Sequence, residues 1–200
     1  MNEEFGFTFA GKRVSADKFR PLYVSEFKRV LETWCKDDAR NIIEWGSGLT
    51  TQILADHAMR LPAVDLFLSI DSNAAYQSAI FADRETPDFL TTVTPDLTGP
   101  QSHAPELAYS TYPLKYGRKF DLIFIDGRRR MECAFISMLL SHEKTIVVIH
   151  DYRRLRYQPI LTLFDVIEDG PEFRVLKPRP SVLSAIADSA GTGFAYSAAR

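Results

Sequence analysis

The sequence predicts an open, doubly wound, mostly parallel α/β sheet with helices on both faces and a C-terminal antiparallel hairpin. Three observations predict it. Apolar runs that would be buried on both sides of the pleat ("LFLSID", "FDLIFIDG", "TIVVIHD") alternate with segments of helical period. A glycine-bearing turn, "EWGSG", closes the first of the strong strands. Near the end, "FRVLK" and "SVLSAIA" are separated only by "PRP", a junction that permits a hairpin but no crossover helix.

The elements follow in order. "FGFTFAGKRV" alternates Phe5, Phe7 and Phe9, as a short strand or an arm folded onto the body would. From Pro21 to Trp34 the apolar positions Tyr23, Phe27, Val30, Leu31 and Trp34 have helical spacing. "NIIEW" is the first clear strand. The period then changes, with Leu49, Ile53, Leu54 and Ala58 on one helical face. "LFLSID" (66–71) is the second strand, and "SNAAYQSAIFADR" reads as a helix that Ser72 or Asn73 can cap. "LTTVTPDL" is a weaker strand that Pro95 cuts short. "FDLIFIDG" (120–127) and "TIVVIHD" (145–151) are strong strands on either side of a helical "MECAFISMLLSHE". The stretch 98–119, rich in Pro, Gly and Tyr, is a long loop of the kind that often carries function, with a short helix around Pro105 to Tyr109. The expected organisation is one domain over 1–200: an arm and helix in 1–40, a ligand-binding core in 41–157, and a helix and hairpin in 158–200.

The bulk properties narrow the function. The chain has 200 residues, 46% of them hydrophobic and 25% charged, with a net charge of −2. That length suits one well-buried domain. The charge points to neither nucleic acid nor an anionic membrane. Cys35 and Cys133 are too few for a disulfide framework and are expected to be reduced and buried. No secretory leader or bilayer-length apolar run is visible, so a cytoplasmic protein is expected.

In an open α/β sheet, ligands bind outside the carboxyl ends of the strands. The first strand ends in Glu44, Gly46, Ser47 and Gly48, followed by a helix whose unpaired N–H groups face the same space. The second ends in Asp71, placed to accept hydrogen bonds from ribose hydroxyls. Together they fit an adenosine-bearing cofactor. The third glycine of a dinucleotide-binding turn is absent, because Leu49, Thr50 and Thr51 follow Gly48. That lowers the case for a nicotinamide or flavin. A strand-to-helix turn without a ligand is the bland alternative for "EWGSG".

The successive stretches "IIEWGSGLTT", "LSIDSN", "FDLIFIDGRRR" and "VVIHDYRR" resemble the motifs of small bacterial class I S-adenosylmethionine-dependent methyltransferases, O-methyltransferase-like, over Asn41 to about Tyr157. The resemblance implies a class I methyltransferase-like Rossmann fold. It also implies S-adenosylmethionine as cofactor, contacted by Glu44, Gly46, Ser47, Gly48 and Asp71, with the region of Asp96 near the adenine.

Methyl transfer needs an aligned nucleophile and, for a hydroxyl, a proton acceptor. Asp126, His150 and Asp151 stand at neighbouring strand ends. His150 fits a general base, and equally a packed histidine bonded to a carbonyl. Asp126 and Asp151 fit a divalent metal such as Mg²⁺, as metal-dependent O-methyltransferases carry acidic or amide ligands in similar places, although His150 stands where an acid is more typical. Six arginines (128, 129, 130, 153, 154, 156) follow the last two parallel strands. Arg128 and Arg153 are the best placed to bind an anionic acceptor. A solvated surface is the alternative. Tyr109, Tyr112, Tyr116, Tyr152 and Tyr157 are expected to line the same cleft or to pack beside it. The expected activity is methyl transfer to oxygen on a small polar or anionic acceptor, with no nucleic-acid or membrane partner. The alternatives are a catalytically idle nucleoside-binding module and a nicotinamide-dependent oxidoreductase. The Phe5, Phe7 and Phe9 arm suggests a homodimer contact.

Overall fold

The structure is a computed structural model that describes residues 5–15, 21–96 and 105–197. Its elements are β1 (Gly6–Phe9), β2 (Lys12–Ser15), α1 (Pro21–Trp34), β3 (Asn41–Trp45), α2 (Leu49–Ala58), β4 (Leu66–Ile70), α3 (Ala74–Ile80), β5 (Leu90–Val93), α4 (Pro105–Thr111), β6 (Leu122–Ile125), α5 (Arg130–Leu139), β7 (Ile146–His150), β8 (Phe164–Asp169), β9 (Phe173–Pro178) and α6 (Pro180–Ser197). Single 3₁₀ segments at Tyr112–Tyr116 and Leu155–Thr162 lead into β6 and β8.

Seven strands form the central sheet in the order β5-β4-β3-β6-β7-β9-β8. The first five are parallel, and β9 runs antiparallel to both β7 and β8. The chain leaves β3 toward β4 on one side and returns to β6 on the other. The carboxyl ends of β3 and β6 therefore flank the topological switch point, where open sheets place their ligands.

Alternation along the strands divides the core. Ile42, Phe67, Leu122, Phe124 and Val148 point to the face covered by α1 and α2, where they meet Phe27, Leu31 and Leu54. Ile43, Trp45, Leu68, Ile123 and Val147 point to the other face, against Tyr109, Cys133, Met138 and the partly buried Val182, Leu183 and Ile186. Apolar residues on both sides of each strand are what this two-faced covering requires.

The hairpin is present, but its strands differ from those expected. "FRVLK" is β9, and its partner is β8, "FDVIED", which precedes it. "SVLSAIA" lies in α6 instead of a strand. Pro180 occupies the first position of that helix, where proline is well tolerated, and Val182, Leu183 and Ile186 recur at helical spacing. The N-terminal arm folds onto the body of its own chain. Phe7 is buried against its own chain and meets Tyr76 edge-on at 5.2 Å, and Gly6 N–H donates to Gln52 Oε1 at 2.8 Å. No helix among the described residues is long and apolar enough to cross a membrane.

Candidate functional site

The turn after β3 is shaped by close backbone approach. Gly46 adopts φ 100°, and a Cβ there would lie 2.4 Å from the backbone nitrogen of Gly127. A Cβ on Gly127 would in turn meet Gly46 N at 2.8 Å and the Tyr109 hydroxyl at 2.2 Å. These two glycines let the ends of β3 and β6 touch. Gly48 has another role. Its backbone is extended, and a Cβ would find nothing nearer than the Tyr76 hydroxyl at 3.8 Å. It faces an open space.

Glu44 lies beneath that turn and does not line the space, contrary to the expected cofactor contact. It is fully buried. Its carboxylate accepts hydrogen bonds from Thr50 Oγ1 at 2.6 Å, Thr51 Oγ1 at 2.7 Å and Ser69 Oγ at 2.9 Å. Thr51 Oγ1 also accepts from Gly48 N–H at 2.8 Å, so the acid secures the start of α2 through its threonines. Burial raises the Glu44 carboxyl from 4.5 to about 7, against the pull of the three hydroxyls. Ser47 Oγ is drawn into the same network, 2.7 Å from Ser69 Oγ and accepting from Gln77 Nε2 at 2.9 Å.

Above the turn is a cavity of about 500 Å³ lined by Gly46, Ser47, Gly48, Asp71, Asn73 and Tyr76 on one side and by Tyr23, Asp126, Gly127 and Arg128 on the other. The glycine turn and Asp71 thus face one space. Asp71 accepts from Asn73 N–H at 2.8 Å. Burial raises its carboxyl above the ordinary carboxylate value, opposed by the amides of Asn73, Ser72 and Ser47 and by the charge of Arg128. Asp96 is exposed beyond β5 and is not among the lining residues, and 97–104 lie outside the described residues.

A second cavity, of about 350 Å³, adjoins the first and shares Tyr23 and Asp126 with it. His150, Asp151, Tyr152, Arg153, Arg154 and Glu172 complete its lining, together with Pro171. Asp126 is the hub. It accepts from the Tyr23 hydroxyl at 2.7 Å on Oδ2, lies 2.7 Å from His150 Nδ1 on Oδ1, and pairs with Arg130 Nη2 at 2.9 Å. The other imidazole nitrogen, Nε2, is 3.5 Å from Glu172 Oε2. Tyr23 stands edge-on to the His150 ring, with centroids 4.9 Å apart. Burial and the neighbouring Asp126 carboxylate push the Tyr23 hydroxyl well above its ordinary pKa, so it acts as a donor.

The expected residues are therefore brought together in part. Gly46, Ser47, Gly48, Asp71 and Arg128 line the first cavity, His150, Asp151 and Arg153 the second, and Asp126 both. Arg153 is exposed and donates to the Gly170 carbonyl at 3.3 Å. Of the five expected tyrosines, Tyr152 lines the second cavity, whereas Tyr109 is a buried core residue whose backbone carbonyl accepts from Trp45 Nε1. The divalent metal does not fit. Among the described residues no group of three or more His, Cys, Asp or Glu is arranged to hold one, and Arg130 stands between Asp126 and Asp151. Sequence reasoning missed Tyr23, which counted only as an apolar helix position, and Glu172, which comes from the turn between β9 and the unrecognised β8. Arg130 was one arginine in a run of three.

No protein-family model matches the chain, and no curated protein matches its sequence. Solved structures do match. A methyltransferase-like protein from Silicibacter pomeroyi aligns with a TM-score of 0.59 and 20% identity, over 85% of this chain and 94% of that one. The N-methyltransferase NodS from Bradyrhizobium japonicum, in complex with S-adenosyl-L-homocysteine, aligns with a TM-score of 0.56 and 15% identity, over 80% of this chain and 89% of that one. The fold is that of the class I S-adenosylmethionine-dependent methyltransferases. A TDP-rhamnose 3'-O-methyltransferase of calicheamicin biosynthesis aligns at 0.53 with 11% identity, over 79% of this chain and 80% of that one. NodS is an N-methyltransferase and the calicheamicin enzyme an O-methyltransferase, so the shared fold carries no acceptor with it.

Proposed function

We propose that the chain is an S-adenosylmethionine-dependent methyltransferase acting on an oxygen of a small polar or anionic acceptor. The observation that carries this reading is the pair of adjoining cavities with Tyr23 and Asp126 as their common wall. One offers what an adenosyl group needs, and the other offers what an acceptor hydroxyl needs.

The cofactor, when bound, supplies a sulfonium methyl to a nucleophile. Asp71 is suited to hold its ribose hydroxyls, while the turn at Gly46, Ser47 and Gly48 leaves room for its methionine portion. The bare Gly48 position, with no atom within 3.8 Å of a would-be Cβ, supports this fit. In the second cavity Asp126 orients His150 by accepting from Nδ1–H, which leaves Nε2 to take the proton of the acceptor hydroxyl. The imidazolium so formed lies between the carboxylates of Asp126 and Glu172. Asp151 pairs with Arg154 at 2.5 Å at the mouth, and Arg153 and Arg128 supply positive charge for an anionic group on the acceptor.

Titration calorimetry with S-adenosylmethionine, S-adenosylhomocysteine and NADH tests the reading. Binding of the first two and none of NADH is expected. NADH binding with silence toward the other two would overturn it. Release of S-adenosylhomocysteine across a panel of phenols, sugars and hydroxy acids then separates an active enzyme from an idle binding module.

A further inference from the structure

We propose that Arg130 is a built-in cation that takes the place of a divalent metal in the acceptor site and positions Asp126 and His150 without one. This deepens the methyltransferase reading and rests on it for the role of the site.

The guanidinium is nearly enclosed by oxygen. Nε donates to the Gly127 carbonyl at 3.1 Å, Nη1 to the His150 carbonyl at 2.5 Å, and Nη2 to the Asp126 carbonyl at 3.1 Å. The carboxylates add Asp126 Oδ1 at 2.9 Å and Asp151 Oδ2 at 3.8 Å. Three carbonyls and two carboxylates form a hard-oxygen set of the kind that holds Mg²⁺, Mn²⁺ or Ca²⁺. Here a tethered positive charge fills it. The Arg130 side chain is 15% exposed, so the charge is partly withdrawn from water and its pull on the acids is little screened.

Helix stability does not account for an arginine at this place. Arg130 is the first residue of α5, where positive charge opposes the macrodipole. Arg129, just before it, takes a left-handed φ of 52°, and Asp151 across the cradle takes 56°. Such conformations are costly for non-glycine residues and cluster where a site demands them. The two strained residues flank the same guanidinium. By joining the last turn of β6 to the last carbonyl of β7, Arg130 fixes the spacing between Asp126 and His150.

The test compares Mn²⁺ binding, by electron paramagnetic resonance, in the wild type, Arg130→Lys, Arg130→Gln and Arg130→Gln/Asp151→Asn. The wild type and Arg130→Lys are expected to take up no Mn²⁺ at millimolar concentration. Arg130→Gln is expected to gain affinity by at least about tenfold, and the double variant to lose that gain. Mn²⁺ uptake by the wild type that Asp126→Asn abolishes would overturn the proposal. So would an Arg130→Gln variant that folds and gains nothing. On the wild type itself, the unfolding midpoint and S-adenosylhomocysteine affinity should be the same in EDTA and in Mn²⁺, and a shift in either sinks the proposal even if the variants fail to fold. Failure of the wild type to bind S-adenosylhomocysteine at all would instead sink the methyltransferase reading and leave the Mn²⁺ comparison standing.

Discussion

Glu44 near the end of β3 and Gly48 in the turn that follows are four residues apart, yet one is sealed in the core and the other opens on the cavity. Their consequences differ accordingly. Glu44 is protonated in the folded protein up to about pH 7, whereas its ordinary value is 4.5. Between those limits the folded state holds a proton that the unfolded chain has released. This group's contribution is full below the lower limit and is lost as pH rises through the upper one, by an amount on the order of 3 kcal/mol. Urea midpoints at about pH 5.5 and about pH 8.5 should therefore converge in Glu44→Gln relative to the wild type. An unchanged difference would show that Glu44 is ionised throughout. For the glycines, Gly46→Ala should cost more than about 2 kcal/mol, because its Cβ would collide with the Gly127 backbone at a left-handed φ. Gly48→Ala should change stability by less than about 0.5 kcal/mol and weaken S-adenosylhomocysteine binding, as read by thermal melts and calorimetry on the same samples. The strand-end residues Asp71, Asp126 and His150 were legible in the sequence because a strand's last residue has only one place to go. Glu44 was misjudged for a related reason. It precedes the turn, and an inward or outward direction there is a matter of pleat parity that one residue of register decides.

At the scale of elements, α1 fastens the C-terminal hairpin to the site. Glu26 is buried and accepts from the backbone N–H groups of Glu172 and Phe173 at 3.0 and 3.2 Å. Farther along the helix, Arg29 pairs with Glu168, and Trp34 Nε1 donates to its other carboxylate oxygen at 2.8 Å. Glu26→Ala leaves two amides without partners and is expected to cost about 2 to 3 kcal/mol in urea unfolding. Loss of less than about 0.5 kcal/mol would mean that the turn is held by something else. Of the five parallel strands, β3, β4, β6 and β7 were readable because each is mostly apolar and buried on both faces, while β5, with Thr91 and Thr92, gave only a weaker signal. The strand β8 was not. It is an edge strand with Asp165, Glu168 and Asp169 on a run of six, and its pairing with β9 shifts register between Val166 and Glu168. Edges that carry charges and bulges resist stray pairing, and the same features hide them from any pattern of alternating hydrophobicity. Glu172 was hidden with it, since a residue in an unrecognised turn cannot be placed near a histidine more than twenty positions away.

For the whole molecule, the two cavities make ligand binding and global stability one equilibrium. S-adenosylhomocysteine at one hundred times its dissociation constant should add about 2.7 kcal/mol, which for a chain of this size is roughly 5–10 °C in the melting midpoint. A melting curve that does not move would contradict the proposed cofactor site. The N-terminal β-hairpin belongs to this equilibrium, because Phe7 and Phe9 both pack edge-on to Tyr76, which lines the first cavity. Phe7→Ala should therefore lower both the midpoint and the affinity. Gln52 ties the same hairpin to α2 and α3 through Gly6 and Ile80.

The clasp between α1 and the β8–β9 turn has a bearing on biosynthesis. As the polypeptide emerges from the ribosome, Tyr23 can find Asp126 once the fourth parallel strand is out, but Glu26 must wait almost fifty residues longer for its amides. A nascent chain halted before Phe173 would carry a nearly finished nucleoside pocket beside a buried acid with nothing to hold. The proposed methyl-transfer activity should thus arrive late, when the last strand slots between its two neighbours.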